Sequence, residues 1–206
     1  FEGEYIEFMA PGVIILTAIF TSIFGGVNTL WDRRYGFMNK ALTSPISRSA
    51  IALGKMSAIS LIAALQASLI IGIALAIGVT FPNPLMIIPI MGIVILFSLG
   101  FSGISVTLAA TAKSQETFWG MINLLGMPLF MLSPALFPLE LLPNWLAVVA
   151  KLNPVTYTVL LVRELMTGVS EGGVPILISI AVIFAFVVAM VAIASYVFTR
   201  EVNKPF

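Results

Sequence analysis

The sequence predicts an all-α, polytopic helical membrane protein, and three observations carry that prediction. Of 206 residues, 60% are hydrophobic and only 9% are charged, with a mean hydropathy of +1.11. Soluble domains carry about 25% charged residues, so there is too little polar surface here to cover a globule in water. Apolar runs of roughly 20 residues recur along the chain, and at about 1.5 Å per residue each reaches across a hydrocarbon core of ~30 Å. The charges, finally, gather between the runs. Segment 31–55 holds Arg33, Arg34, Lys40, Arg48 and Lys55 against a single acid, Asp32.

The composition also excludes functions. There is no Cys and no His. Disulfides are therefore ruled out, as are most zinc, haem and iron–sulfur sites and the triads that need an imidazole or a thiol. The net charge of +1 gives no electrostatic footprint for nucleic acid, and no surface interleaves basic with aromatic residues. No G-x-x-x-x-G-K-[ST] occurs, because Gly54-Lys55 lacks both the upstream Gly and the following Ser or Thr. The acidic start from Phe1 to Glu7 has no basic region and is not a signal peptide; a first residue other than Met suggests a fragment or a processed start.

In chain order, the first span is expected over 10–30. Pro11 suits its first turn, where a missing N–H costs little. Thr17, Thr21 and Ser22 can return hydroxyls to backbone carbonyls, and Gly25-Gly26 allows close packing or a bend. The basic segment 31–55 then divides in two. Residues 35–42 form a short amphipathic helix with Phe37, Met38, Ala41 and Leu42 on one face and Asn39 and Lys40 away from it. Ser44-Pro45 reads as a helix start, Ser as cap and Pro in the first position.

The second span is expected over 56–79, with Gln66 as its strongly polar interior residue. An uncharged turn, 81–84, leads to a third span over 85–112, rich in Gly and Ser. A short loop, 113–116, opens a fourth span over 117–134. It contains Asn123, is interrupted by Pro128 and ends at Ser133-Pro134. Region 135–173 holds two apolar stretches too short to cross, 139–149 and 155–166, separated by Asn153-Pro154. Such lengths fit re-entrant or interfacial helices in the outer leaflet. The last span covers 174–198. Five spans place the N-terminus outside and the C-terminus inside. Inner segments then hold Arg33, Arg34, Lys40, Arg48, Lys55, Lys113, Arg200 and Lys204, and outer segments only Lys151 and Arg163, as the positive-inside rule asks.

Several stretches taken together resemble the permease subunits of ABC type-2 exporters, particularly the daunorubicin-resistance-like branch. They are Ala10-Pro11-Gly12; Trp31-Asp-Arg-Arg-Tyr-Gly-Phe37; Leu42-Thr-Ser-Pro-Ile-Ser-Arg48 with Leu53-Gly-Lys55; Leu136-Phe-Pro-Leu-Glu140; Leu142-Pro143 with Trp145; and Leu152-Asn-Pro-Val-Thr-Tyr157 ahead of Arg163. The resemblance covers nearly the whole chain, 1–206, as one transmembrane domain. It implies six spans with an inner N-terminus, so this chain looks like such a permease without its first span. It implies a dimer of permeases, homo- or heteromeric, working in membrane lipid with two cytoplasmic ATPase subunits. ATP and Mg are bound by those partners, with no cofactor and no catalytic residue on this chain. It implies a prokaryotic cell-membrane protein, and a coupling helix within 31–55 that seats in the ATPase. Arg34, Tyr35, Gly36, Phe37, Met38, Lys40, Pro45 and Arg48 are the expected coupling residues. Asn153, Pro154, Tyr157 and Arg163 form the outer re-entrant motif.

Each functional reading has a plainer rival. The charges of 31–55 are explained by topology alone, but the short amphipathic helix and its elbow are not. Phe37 and Met38 suit anchors in a partner groove, with Arg34, Lys40 and Arg48 as a charged rim. Gln66 and Asn123 offer a polar patch on a substrate route; interhelical hydrogen bonding explains them slightly better. Arg163-Glu164 reads first as a snorkelling interfacial pair, and second as an outer gate. Trp119, Trp145 and Tyr157 read as interfacial anchors. The functional expectation is outward movement of an amphiphilic substrate (a drug, a lipid or a lipid-linked glycan) by alternating access. The rivals are a secondary transporter, which needs ionisable residues within its spans, and a non-transporting membrane scaffold.

Overall fold

The computed structural model describes residues 2–79, 83–135, 143–168 and 173–201, and the regular elements among them are helices. In order they are α1 (Glu2–Gly25), α2 (Val27–Arg34), α3 (Phe37–Leu42), α4 (Arg48–Ala76), α5 (Ile87–Thr111, entered through one 3-10 turn at Pro84–Met86), α6 (Gln115–Met131), α7 (Asn144–Leu152), α8 (Pro154–Thr167) and α9 (Ile176–Glu201). The expected turn at 81–84 and the segments 136–142, 169–172 and 202–206 lie wholly or partly outside the described residues. With them go Leu136, Glu140, Leu142 and Lys204.

α5 is the central post, packed along α1, α4 and α9. Its composition explains this. Gly100, Ser102, Gly103 and Ser105 are buried, and small residues let helix backbones approach where lipid supplies no hydrophobic drive. A Cβ added at Gly103 would stand 3.0 Å from the Met190 carbonyl oxygen of α9. Hydroxyls bind the post to its neighbours: Ser105 donates to the Ser22 carbonyl of α1 at 2.7 Å, and Ser60 of α4 donates to the Ile95 carbonyl at 2.6 Å. α4 shows the complementary pattern. Ala52, Ala63, Ala64, Ala67 and Ala74 face inward, while Leu61, Leu65, Leu69 and Ile73 are exposed, as lipid-facing positions should be.

Among the described residues, four stretches are long and apolar enough to span a membrane: Phe8–Arg34, Arg48–Ala76, Pro84–Thr111 and Ile176–Glu201. The first is α1 continued by α2 across Gly26, where a Cβ would fall 2.6 Å from the Ser105 carbonyl oxygen; its backbone is ordinary right-handed helix, so close approach alone requires glycine there. α6, the expected fourth span, has 17 residues and reaches about 25 Å, short of the other four. Pro128 lies inside it instead of interrupting it. Only one turn follows that proline, so the missing N–H removes a single bond near an end that frays in any case.

α4 begins at Arg48, eight positions before the expected start, so part of the basic segment is helix. Its cap is Ser47, whose side chain accepts from the Ala50 N–H, and not Ser44. The Ser44 hydroxyl donates back to the Ala41 carbonyl at 2.6 Å and closes α3, which leaves Pro45 in the connecting turn. α7 and α8 meet at an angle of 85° across Asn153, the broken shape expected of a re-entrant pair.

Candidate functional site

The residues expected to matter fall at two ends of the bundle. One is the basic end, where α2 stops, α4 starts and α9 finishes. The other is the opposite end, where α7 and α8 lie against α1.

At the basic end, α2 ends at Arg34 and Gly36 takes φ 78°. This left-handed residue re-aims the chain into α3; no atom lies within 4 Å of a Cβ there, so backbone conformation and not crowding calls for glycine. α3 then sits across the helix ends with two unlike faces. Met38 is 2% exposed and belongs to a buried cluster with Ala52 and Met56 of α4, Val106 and Ala110 of α5, and Ala194 and Phe198 of α9. Tyr35, Phe37 and Ile46 point outward and are more than half exposed, and the Lys40 ammonium lies 5.7 Å from the Phe37 ring centroid. The expectation that Phe37 and Met38 share a docking face is therefore wrong for Met38. Adjacent positions on a helix are about 100° apart, so the two diverge, and the junction of three spans takes the methionine.

The other charges at this end bind helix to helix. Arg33 donates to the Ala109 and Ala110 carbonyls at 3.0 and 2.6 Å. These belong to the last turn of α5, where carbonyls have no partner within the helix and a cation is favoured. Lys55 of α4 pairs with Asp32 of α2. Arg48 reaches the Thr199 carbonyl of α9 at 3.4 Å, a weak contact by its length. Sequence reasoning counted Arg33 and Lys55 only as topology signals. Nothing local in the sequence names their partners, which lie on other helices. Arg34 is exposed and lines a cavity of about 280 Å³ with Leu30, Trp31, Lys113, Ser114, Gln115 and Glu116. The exposed Glu116 carboxyl is held below its usual range by its own backbone N–H and the Ser114 side chain, with a smaller contribution from Arg34.

At the opposite end, Asn153 does two things. Its carbonyl oxygen accepts from the Val155 N–H at 3.0 Å, capping α8 with Pro154 in the first position, and its amide donates to the Leu129 carbonyl of α6 at 2.6 Å. The Thr156 hydroxyl donates to the Ala150 carbonyl and the Tyr157 hydroxyl to the Lys151 carbonyl, both at 2.7 Å, fixing α8 to the end of α7. Arg163 is 1% exposed. Its guanidinium lies 3.9 Å from the Phe8 ring centroid and donates to the Pro134 carbonyl at 3.0 Å and the Phe8 carbonyl at 3.4 Å. This overturns the snorkelling reading: the side chain points inward and fastens α8 to α1 and to the connection after α6. The signal was present in the sequence. Arg163 stands in line with Val155, Val159 and Met166, on the apolar stripe of α8 that is buried here.

The two mid-span amides do not meet. Gln66 accepts a hydrogen bond from the Thr21 hydroxyl, joining α4 to α1; that hydroxyl goes to a neighbouring helix instead of its own backbone. Asn123 is exposed and donates to the Trp119 carbonyl of its own helix at 2.8 Å. Trp119 itself is half-buried against Phe24 and Phe118.

Membrane-length helices around a small-residue post, a short helix seated over one set of ends and a bent pair at the other define a multi-pass helical membrane protein. Its sequence matches the model of the ABC-2 type transporter over residues 2–167, and the chain belongs to that family of transporter permeases. Among relatives, it is 30% identical over 165 residues to a protein of Cyanophora paradoxa named "Putative transport permease ycf38", covering 80% of this chain and 57% of that one. It is 25% identical over 184 residues to nodulation protein J of Sinorhizobium fredii, covering 88% and 69%. It is 23% identical over 188 residues to the daunorubicin resistance ABC transporter permease protein DrrB1 of Streptomyces coeruleorubidus, covering 89% and 66%. The chain spans little more than half the length of the first of these.

Proposed function

We propose that the chain is a transmembrane subunit of an ATP-driven exporter, with the basic end cytoplasmic and α3 as the element an ATPase subunit pushes. One observation carries the reading. Met38 of α3 is buried in the cluster that α4, α5 and α9 build, while Phe37 and Lys40 of α3, and Tyr35 just before it, are exposed to the surroundings. A helix packed in this way passes a displacement to three spans as bodies, because packed interfaces shift between discrete arrangements instead of deforming smoothly. The Arg33 and Asp32–Lys55 contacts add α2 to the moving unit.

In this reading ATP and Mg stay on the partner, this chain catalyses nothing, and a second permease copy completes the pathway in a prokaryotic cell membrane. Closure of the ATPases rocks the two copies and releases an amphiphilic substrate outward. Support for that substrate class comes from the drug-resistance relative and from spans whose hydrophobic interiors offer little charge to hold small ions. Arg34, Lys40, Pro45 and Arg48 form the rim around α3, and Gln66 and Asn123 are the polar groups nearest any substrate route. The test is the pair Phe37→Ala and Lys40→Glu in the assembled transporter. Transport-coupled ATP hydrolysis is expected to fall to background while membrane insertion is retained. Undiminished coupling in that double variant, or failure of any ATPase subunit to co-purify with the unaltered chain, removes the proposal.

A further inference from the structure

The cavity at the basic end has a composition unlike the rest of the surface. Its walls come from the last turn of the first span (Leu30, Trp31 and Arg34) and from the connection between α5 and α6 (Lys113 to Glu116). Both pieces lie at the ends of membrane-length helices, and a tryptophan on the wall is typical of headgroup depth. Arg33, the neighbour of Arg34, is turned away to the α5 carbonyls. Among the described residues neither Arg34 nor Lys113 donates a hydrogen bond, and Arg34 acts on Glu116 through charge alone. The cavity thus presents two basic groups and one carboxylate, beside apolar Leu30 and Trp31. A free anion leaves the carboxylate facing like charge. A quaternary amine cannot donate a hydrogen bond to it. A phosphate joined to a primary ammonium matches every charge on the wall.

We propose that this cavity binds the phosphoethanolamine headgroup of a phospholipid from the leaflet at the basic end, with the phosphate on Arg34 and Lys113, the ammonium on Glu116, and an acyl chain running along Trp31. The volume of about 280 Å³ admits one headgroup. The proposal shares Arg34 with the rim around α3 and otherwise involves no residue of the ATPase contact. It makes Glu116 the residue that selects the headgroup, and the two basic residues the source of affinity.

The test is native mass spectrometry of the full chain, carried in detergent with an equimolar mixture of phosphatidylethanolamine, phosphatidylglycerol and phosphatidylcholine. The first lipid adduct on the unaltered chain is expected to be phosphatidylethanolamine. Each basic residue near such a surface changes anionic binding roughly 5-fold, so Arg34→Gln with Lys113→Gln should lower that adduct by an order of magnitude or more. Glu116→Gln should keep lipid binding but shift the preference to phosphatidylglycerol. Lys40→Gln, which removes a cation outside the cavity, should leave the ratios unchanged. Equal adducts of all three lipids on the unaltered chain, or a preference for phosphatidylglycerol, overturns the proposal. So does an unchanged ratio in Glu116→Gln, or a loss in Lys40→Gln as large as that in the double variant.

Discussion

Arg33 and Arg163 both donate to main-chain carbonyls near the end of a neighbouring element, yet one is half-buried and the other 1% exposed. The basic end and the opposite end are fastened by the same chemistry in different surroundings. Around Arg33, other charges and open surface are close, so a lost contact can be replaced by water. Around Arg163 the Pro134 and Phe8 carbonyls have a charged donor and little access to solvent, so a lost contact leaves polar groups orphaned. The contrast separates a fastening open to its surroundings from one that is enclosed.

Five substitutions break or sharpen that contrast. Arg163→Ala should have the largest effect, roughly 3 kcal/mol of stability, since it removes charge-assisted bonds from buried carbonyls; reversible unfolding in mixed detergent micelles measures it. A loss under ~1 kcal/mol would put Arg163 back among surface groups and erase the difference. Met38→Ala should follow at about 2–3 kcal/mol, the usual cost of emptying a buried site. Phe37→Ala, one position away and exposed, should cost under ~0.5 kcal/mol, so equal losses for the pair would show that α3 does not have two distinct faces. Asn153→Ala should cost about 1–2 kcal/mol by removing the α8 cap and its bond to Leu129; protease sensitivity of the 143–168 region in micelles should rise with it. Asp32→Asn should also be small, below ~1 kcal/mol, because Asp32 and Lys55 are 38% and 20% exposed and solvent screens the pair.

Much of the architecture was legible because the membrane simplifies the code. Apolar length marks the spans, and short apolar stretches around Asn153-Pro154 mark the bent pair. What was misread concerns single side chains. Ser44-Pro45 has the composition of a helix start, but the Ser44 hydroxyl is used to close α3, and Ser47 caps α4 instead. Met38 and Phe37 look alike as apolar neighbours, and only the junction of α4, α5 and α9 decides which one is enclosed. Gln66 reads as a lone polar residue until Thr21 is found across from it on α1.

By itself, then, the sequence determined that the chain is helical, crosses a bilayer several times and carries its basic surface at one end, because burial of backbone polar groups in lipid and the placement of charge depend on composition along the chain. Tertiary structure decided which basic residues face outward and which close the bundle. That depends on where distant carbonyls fall: Ala110 for Arg33 and Pro134 for Arg163. A hydrogen bond between residues 77 or 29 positions apart has no local signature; it exists only once the helices stand side by side.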